Sequence, residues 1–125
     1  DFLVLGITNQ GGIAYGHMTI GDYQEIKEAV ESRLPQFDRI MFCPFHQHGN
    51  TKPWNQRSLM RKPYYGMIAA HEQYYLQRGV KINLDRSIVV GDRDEDREAA
   101  KRAGISFQDA EQFFSHRGEA LRNNE

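Results

Sequence analysis

Short apolar runs that stop in turns, alternating with stretches of helical period, constrain this chain more than any other feature. Phe2–Thr8 (FLVLGIT) is a buried-strand pattern that ends in Asn9-Gln10-Gly11-Gly12. Arg39–Cys43 (RIMFC) stops at Pro44, and Ser87–Val90 (SIVV) stops at Gly91-Asp92. Ile105–Phe107 is a fourth, briefer run. Between the first two runs, Thr19 with Asp22 forms a helix-start signal. Ile20, Tyr23, Ile26, Ala29, Val30 and Leu34 then recur at helical spacing up to Pro35.

A second helix is expected from Pro63, as a first-turn proline, through Met67, Ile68, His71, Tyr74, Tyr75 and Arg78 to Gly79. A third spans Asp94–Ala103, acidic at its start, with Lys101 and Arg102 near its end and Gly104 just beyond. Asp109–Phe114 reads as a final helical turn or two, and residues 44–62 carry no period. Strand–helix alternation of this kind predicts an α/β fold with a mainly parallel sheet. Ligands of such sheets bind outside the carboxyl ends of the strands. That rule gathers Thr8-Asn9, Cys43-Pro44 and Gly91-Asp92 along one edge. Residues 1–116 read as one core domain and residues 117–125 as a polar tail.

Composition narrows the function class. Sixteen basic against 17 acidic residues leave a net charge of -1, which implies no broad nucleic-acid or membrane field. The mean hydropathy is -0.71, yet the apolar residues cluster, which argues against disorder along the whole length. No run reaches the roughly 18 apolar residues of a membrane span. The single cysteine excludes an internal disulfide and suits a reducing, cytoplasmic compartment.

Four groups of residues could carry chemistry. Thr8-Asn9-Gln10-Gly11-Gly12 offers a hydroxyl, two amides and open backbone N–H groups to a phosphoryl oxygen, although an ordinary strand-to-loop turn uses the same residues. Lys62, between Arg61 and Pro63, could neutralise a phosphate and a neighbouring carboxylate, or be a solvated loop lysine. Asp92 and Asp96 fall in an acidic run after a buried strand, where a hard divalent cation finds carboxylate oxygens; an acidic helix start has the same composition. Cys43, His46 and His48 carry soft and imidazole donors, but a structural zinc site closes with four ligands and no second cysteine exists. The histidines could instead meet substrate. Trp54, Tyr64 and Tyr65 could cover a pocket, or serve packing alone.

Taken in order, Thr8-Asn9-Gln10-Gly11-Gly12-Ile13-Ala14, then Arg61-Lys62-Pro63 with Gly66-Met67, then Val90-Gly91-Asp92 with Asp96, Ala99-Ala100 and Ala103-Gly104-Ile105, resemble the haloacid dehalogenase (HAD) superfamily. The nearest likeness is to its class III phosphatases, which include histidinol-phosphate and heptose-bisphosphate phosphatases. The resemblance implies a HAD-like Rossmannoid three-layer α/β/α fold. It also implies a magnesium-dependent phosphomonoester hydrolase that works through an aspartyl-phosphate on a small phosphorylated sugar or amino-alcohol. By the same resemblance Thr8 and Lys62 are catalytic, and Thr8, Asn9, Gln10, Gly11, Arg61, Lys62 and His46 bind substrate. Asp92 binds magnesium with Asp96 in support.

The chain departs from that pattern twice. In the superfamily an Asp-x-Asp motif on an earlier, central strand supplies the nucleophile and its acid/base partner, whereas here the sequence opens on the Thr8 strand. Asp1 stands at the wrong end of that strand for the role. The expectation is therefore a sheet lacking its central strand between those starting near Phe2 and Ser87, in a polypeptide that is incomplete or completed by another segment, with no turnover of its own. The second departure concerns zinc. Phe45 replaces the first expected histidine, and Ser58 and Met60 stand where zinc-bearing relatives carry a cysteine pair before Arg61. A zinc-free loop packed on Trp54 is expected.

Two other functions remain in view. Arg-Lys-Pro-x-x-Gly-Met, Gly104-Ile105, Phe107 and Phe113-Phe114 also look like polynucleotide 3′-phosphatase domains, in which Arg57, Arg61 and Lys62 would meet a nucleic-acid end. Without the nucleophile motif, the chain could be a non-catalytic phosphate-binding or regulatory remnant.

Overall fold

A computed structural model describes residues 2–115. Asp1 and the polar tail assigned to residues 117–125 lie outside the described residues. Strand β1 (Leu5–Asn9) is followed by helix α1 (Ile20–Arg33), strand β2 (Arg39–Cys43) and helix α2 (Gly66–Leu76). A 3-10 turn (Leu84–Arg86) then leads into strand β3 (Ile88–Gly91), helix α3 (Asp94–Ala103) and strand β4 (Ser106–Asp109). Residues 110–115 are helical. Residues 44–62 form turns without helix or strand, as their lack of period predicts.

Both strand pairs are parallel, and each is bridged by a helix, since parallel neighbours need a crossover. Thr8 pairs with Phe42 and Asn9 with Cys43 in the first sheet, and Gly91 pairs with Asp109 in the second. The expected α/β class holds, but the parallel strands divide into two two-stranded sheets, β1-β2 and β3-β4. The break falls between β1 and β3, the two strands that the sequence reading sets on either side of an absent one. A ladder needs strands about 4.8 Å apart, and no ladder joins these two among the described residues.

A narrow sheet limits what its helices can bury. Helix α1 starts as expected, with the Thr19 hydroxyl accepting from the Asp22 N–H (3.0 Å) and the Asp22 carboxylate accepting from the Thr19 N–H (3.1 Å). Its expected apolar stripe is corrected, however. Only Tyr23 is buried, packed on Phe42 with ring centroids 4.4 Å apart, while Ile26, Val30 and Leu34 are exposed. Two strands about 4.8 Å apart make a platform no wider than one helix of about 10 Å diameter, so the outer part of the stripe overhangs.

The start of α2 is also corrected. Pro63 lies in a turn ahead of the helix, which begins at Gly66. Gly66 N–H donates to Leu59 O (3.0 Å) and Asn9 takes both backbone groups of Lys62, so the bonds a helix start at Pro63 would use are engaged elsewhere. The helix ends at Leu76, three residues short of the Gly79 stop read from the sequence. Helix α3 has the expected bounds, with Gly104 as its left-handed cap.

The fully buried side chains are Ile13, Met67 and Cys43, accompanied by Ala14, Ala99 and Ala100. Ile13 and Ala14 belong to the loop after β1, so that loop is a core element. Burying Ile13 is worth about 2–3 kcal/mol by area transfer. Ala14 O also accepts from the N–H groups of Asn50 (2.8 Å) and Thr51 (2.9 Å), which ties this loop to residues 44–62.

Buried His71 fastens α2 to the first sheet. Its Nδ1 lies 3.0 Å from an Arg39 guanidinium nitrogen, which can only donate. The ring proton is therefore on Nε2, which donates to Gly6 O at 2.8 Å. Burial lowers the His71 pKa below the ordinary histidine value; the bond to Gly6 opposes this and Arg39 adds to it. A lowered folded-state pKa means stability is full above the unfolded value near 6.5 and is lost as pH falls below it. Denaturation between pH 7 and 5 is expected to show a steeper loss of stability for the native protein than for His71→Gln, which cannot titrate; parallel curves would remove this role.

The two sheet units meet through a buried ion pair between Lys62 and Asp96, 2.5 Å apart, and through Arg102, whose guanidinium lies 4.8 Å from the centre of the Tyr64 ring. Removing one partner of a buried pair strands the other charge. Asp96→Ala is expected to lower unfolding stability by about 3 kcal/mol in urea denaturation. A loss below about 1 kcal/mol would mean the pair behaves as an exposed one.

Candidate active site

The loop at the carboxyl end of β1 is shaped to present donors. Gln10 Nε2 donates to Thr8 Oγ1 at 3.1 Å, which leaves the Thr8 hydroxyl hydrogen free to donate outward. The N–H groups of Gly11 and Gly12 meet no protein acceptor among the described residues. A Cβ on Gly11 would stand 3.1 Å from Arg61 Nη1 and 3.3 Å from His46 Cδ2. Glycine at that point is what lets the Arg61 guanidinium and the His46 ring close on the turn.

Lys62 is 9% exposed and is held from both sides. Its N–H donates to Asn9 Oδ1 (3.0 Å) and its carbonyl accepts from Asn9 Nδ2 (3.2 Å), a two-point clamp across 53 residues of sequence. Its ammonium reaches Asp96 in the first turn of α3. A chain of contacts thus runs from the end of β1 through Lys62 to the first turn of α3. Asn9, read from sequence as a substrate ligand, bonds the backbone of the lysine through its oxygen and one of its two N–H hydrogens.

Asp96 is engaged in the same way. One of its oxygens accepts from Lys62, and the other accepts from the Arg93 N–H at 3.3 Å. It holds the lysine and caps α3, and each oxygen keeps a further lone pair. A Cβ on Gly91 would lie 2.6 Å from the Asp96 side chain, so glycine at the end of β3 is what admits this carboxylate. Asp92 differs. It is exposed and makes no hydrogen bond or ion pair among the described residues. A magnesium ion is commonly held by one or two carboxylates together with water and substrate phosphate, and Asp92 fits that demand. No cluster of three or more His, Cys, Asp or Glu able to hold a metal occurs among the described residues.

The Cys43 loop is organised by packing. Cys43 is fully buried, its Sγ donates to Phe45 O at 3.9 Å, and burial pushes its thiol pKa up, against the thiolate a metal requires. The Phe45 ring meets Trp54 edge-on with centroids 5.4 Å apart, and Trp54 O accepts from the His46 N–H at 3.1 Å. Packing is accordingly where the structure puts Trp54. Tyr64 lies under Arg102, and Tyr65 is exposed just ahead of α2. His48 stands beside His46, with ring centroids 5.6 Å apart. Tyr15 is a member of this rim that the sequence reading missed. Its hydroxyl is 3.3 Å from His46 Nδ1, a contact between positions 31 residues apart that leaves no local signal.

The chain has clear relatives. Residues 1–118 match the family model described as polynucleotide kinase 3 phosphatase. The D-glycero-beta-D-manno-heptose-1,7-bisphosphate 7-phosphatase of Escherichia coli strain K12 is 32% identical over 108 residues, covering 83% of this chain and 54% of that protein. The counterpart from Rhodopseudomonas palustris is also 32% identical, with 83% and 57% covered. A solved HAD-like phosphatase structure from Mesorhizobium loti superposes with a TM-score of 0.72 at 30% identity, over 83% of this chain and 49% of that one. The chain thus spans about half the length of these relatives. By sequence and by fold, it belongs to the polynucleotide kinase 3 phosphatase family, within the HAD superfamily of phosphatases.

Proposed function

We propose that this chain supplies the phosphate-handling edge of a phosphomonoester hydrolase whose substrate is a small phosphorylated sugar. The observation that carries the reading is buried Lys62, its ammonium paired with Asp96 and its backbone clamped by Asn9, the residue that follows Thr8 and opens the loop carrying the free Gly11 and Gly12 donors. Transfer of a phosphoryl group gains most from preorganised positive charge and N–H donors aimed at its oxygens. The heptose-bisphosphate phosphatases among the relatives support a sugar as the leaving group.

In this reading Thr8 donates its hydroxyl hydrogen to a phosphoryl oxygen and the Gly11 and Gly12 amides take the others. Lys62 neutralises the phosphoryl group and the attacking carboxylate together. That carboxylate is the aspartate of the Asp-x-Asp motif that the resemblance implies. Attack forms an acyl phosphate and breaks the P–O bond to the sugar oxygen; water then releases inorganic phosphate and restores the carboxylate. Asp92 would hold a magnesium ion, which would add charge neutralisation at the phosphate. A 3′-phosphorylated nucleic-acid end is the second reading, supported by the description of the matching family.

Both points can be tested in protein completed by the segment that supplies the attacking carboxylate. Lys62→Ala is expected to reduce kcat at least ~100-fold, the usual effect of losing one preorganised charge stabiliser, with folding checked by circular dichroism. A near-native rate in a folded variant would reject the assignment. Assayed with magnesium against aldose and ketose phosphates and a 3′-phosphorylated oligonucleotide, the protein is expected to prefer a sugar phosphate by kcat/KM. Preference for the oligonucleotide would establish the second reading instead.

A further inference from the structure

His46 stands on the rim beside Gly11, and its hydrogen bonds determine which ring nitrogen carries the proton. The backbone N–H of His48 points at His46 Nδ1 from 3.1 Å. A backbone amide can only donate, so Nδ1 must be the acceptor and is unprotonated. The Tyr15 hydroxyl, 3.3 Å away, donates to the same nitrogen. The proton of the neutral ring therefore sits on Nε2. No group among the described residues hydrogen-bonds Nε2, and the ring is part-exposed, so this N–H faces outward unused.

The surroundings keep the ring in that form. Burial, then Arg61, then His48 lower its pKa below the ordinary histidine value, and protonation would turn Nδ1 against two donors. The Arg61 guanidinium lies alongside, with Nη1 against the Gly11 position and only a long 3.5 Å bond to Phe45 O. No ion pair engages Arg61 among the described residues. Next to a cradle that already holds donors for the phosphate, His46 and Arg61 thus add a further pair of donors.

We propose that His46 is a specificity-determining residue whose Nε2–H, beside the Arg61 guanidinium, donates to an oxygen of the leaving group next to the scissile phosphate. The inference rests on the phosphatase reading and adds to it the chemistry of the alcohol. The favoured leaving group carries an oxygen acceptor close to the ester, as a polyhydroxylated sugar does and a plain phenol does not. A site built to hydrogen-bond a substrate oxygen discriminates strongly against analogues without one, because its donor is then left unpaired.

The test compares kcat and KM for phenyl phosphate with those for glucose 6-phosphate or fructose 1,6-bisphosphate, whichever sugar the native protein turns over faster. His46→Phe is expected to lower the sugar-to-phenyl ratio of kcat/KM at least ~10-fold, mainly through a higher KM for the sugar. His46→Asn keeps an acceptor near the Nδ1 position for His48 and Tyr15 but has no donor at the reach of Nε2, and should lose the ratio as His46→Phe does. His46→Gln places an amide N–H near the Nε2 position and should restore much of it. An unchanged ratio in His46→Phe, or rescue by Asn and not by Gln, would overturn the proposal and leave His46 as a support for its loop. These rates are measured in protein completed by the segment that supplies the attacking carboxylate; hydrolysis of phenyl phosphate there with no preference for either sugar would overturn the proposal while leaving the phosphatase reading intact, and hydrolysis of no ester by that completed protein would remove both.

Discussion

The site depends on one buried ammonium and on the two side chains that hold it. Lys62 sits in a turn between irregular chain and α2, where a lysine would ordinarily extend into water. Asn9 prevents this by taking both of its backbone polar groups, and Asp96 draws the ammonium across to α3. Desolvating a charge is expensive, and a close pair offsets that penalty only when the geometry is good. The arrangement therefore does more for position than for stability. It couples the end of β1 to the start of α3 through a single residue.

The small buried core serves the same edge. Ile13 and Ala14 bury the loop that carries the donors, and Cys43 and Met67 lie in the adjoining segments. By contrast, the stripe of α1 is largely exposed, because a two-stranded sheet cannot cover it. The loops at the carboxyl ends of the strands are bonded to one another through their polar groups. The rim built by Tyr15, His46 and Arg61 inherits its geometry from these loop-to-loop bonds rather than from a helix or strand of its own.

Much of the framework was legible in the sequence, since it depends on local chemistry. Thr19 and Asp22 define a capping box within four residues, and Gly104 follows the last residue of α3 because a left-handed cap favours glycine. Arg39–Cys43 and Asp94–Ala103 form the elements that their patterns predict. The start of α2 was not legible. Pro63 is a good first-turn residue, but the Lys62 backbone is taken by Asn9, which is 53 positions away. Thr8, Lys62 and the acidic loop could be singled out by residue type and order, whereas the work done by each acid could not.

What the sequence determined by itself is the set of elements, the parallel α/β class and the polar groups available at the strand ends, because period, caps and turn residues act over a few positions. Only the tertiary structure decided how those groups are used. It set Asn9 and Asp96 on Lys62, left Asp92 with a free carboxylate, and put the His46 proton on Nε2. The reason is that a polar side chain has several possible partners of equal chemical merit, and which one it meets depends on contacts between segments tens of residues apart.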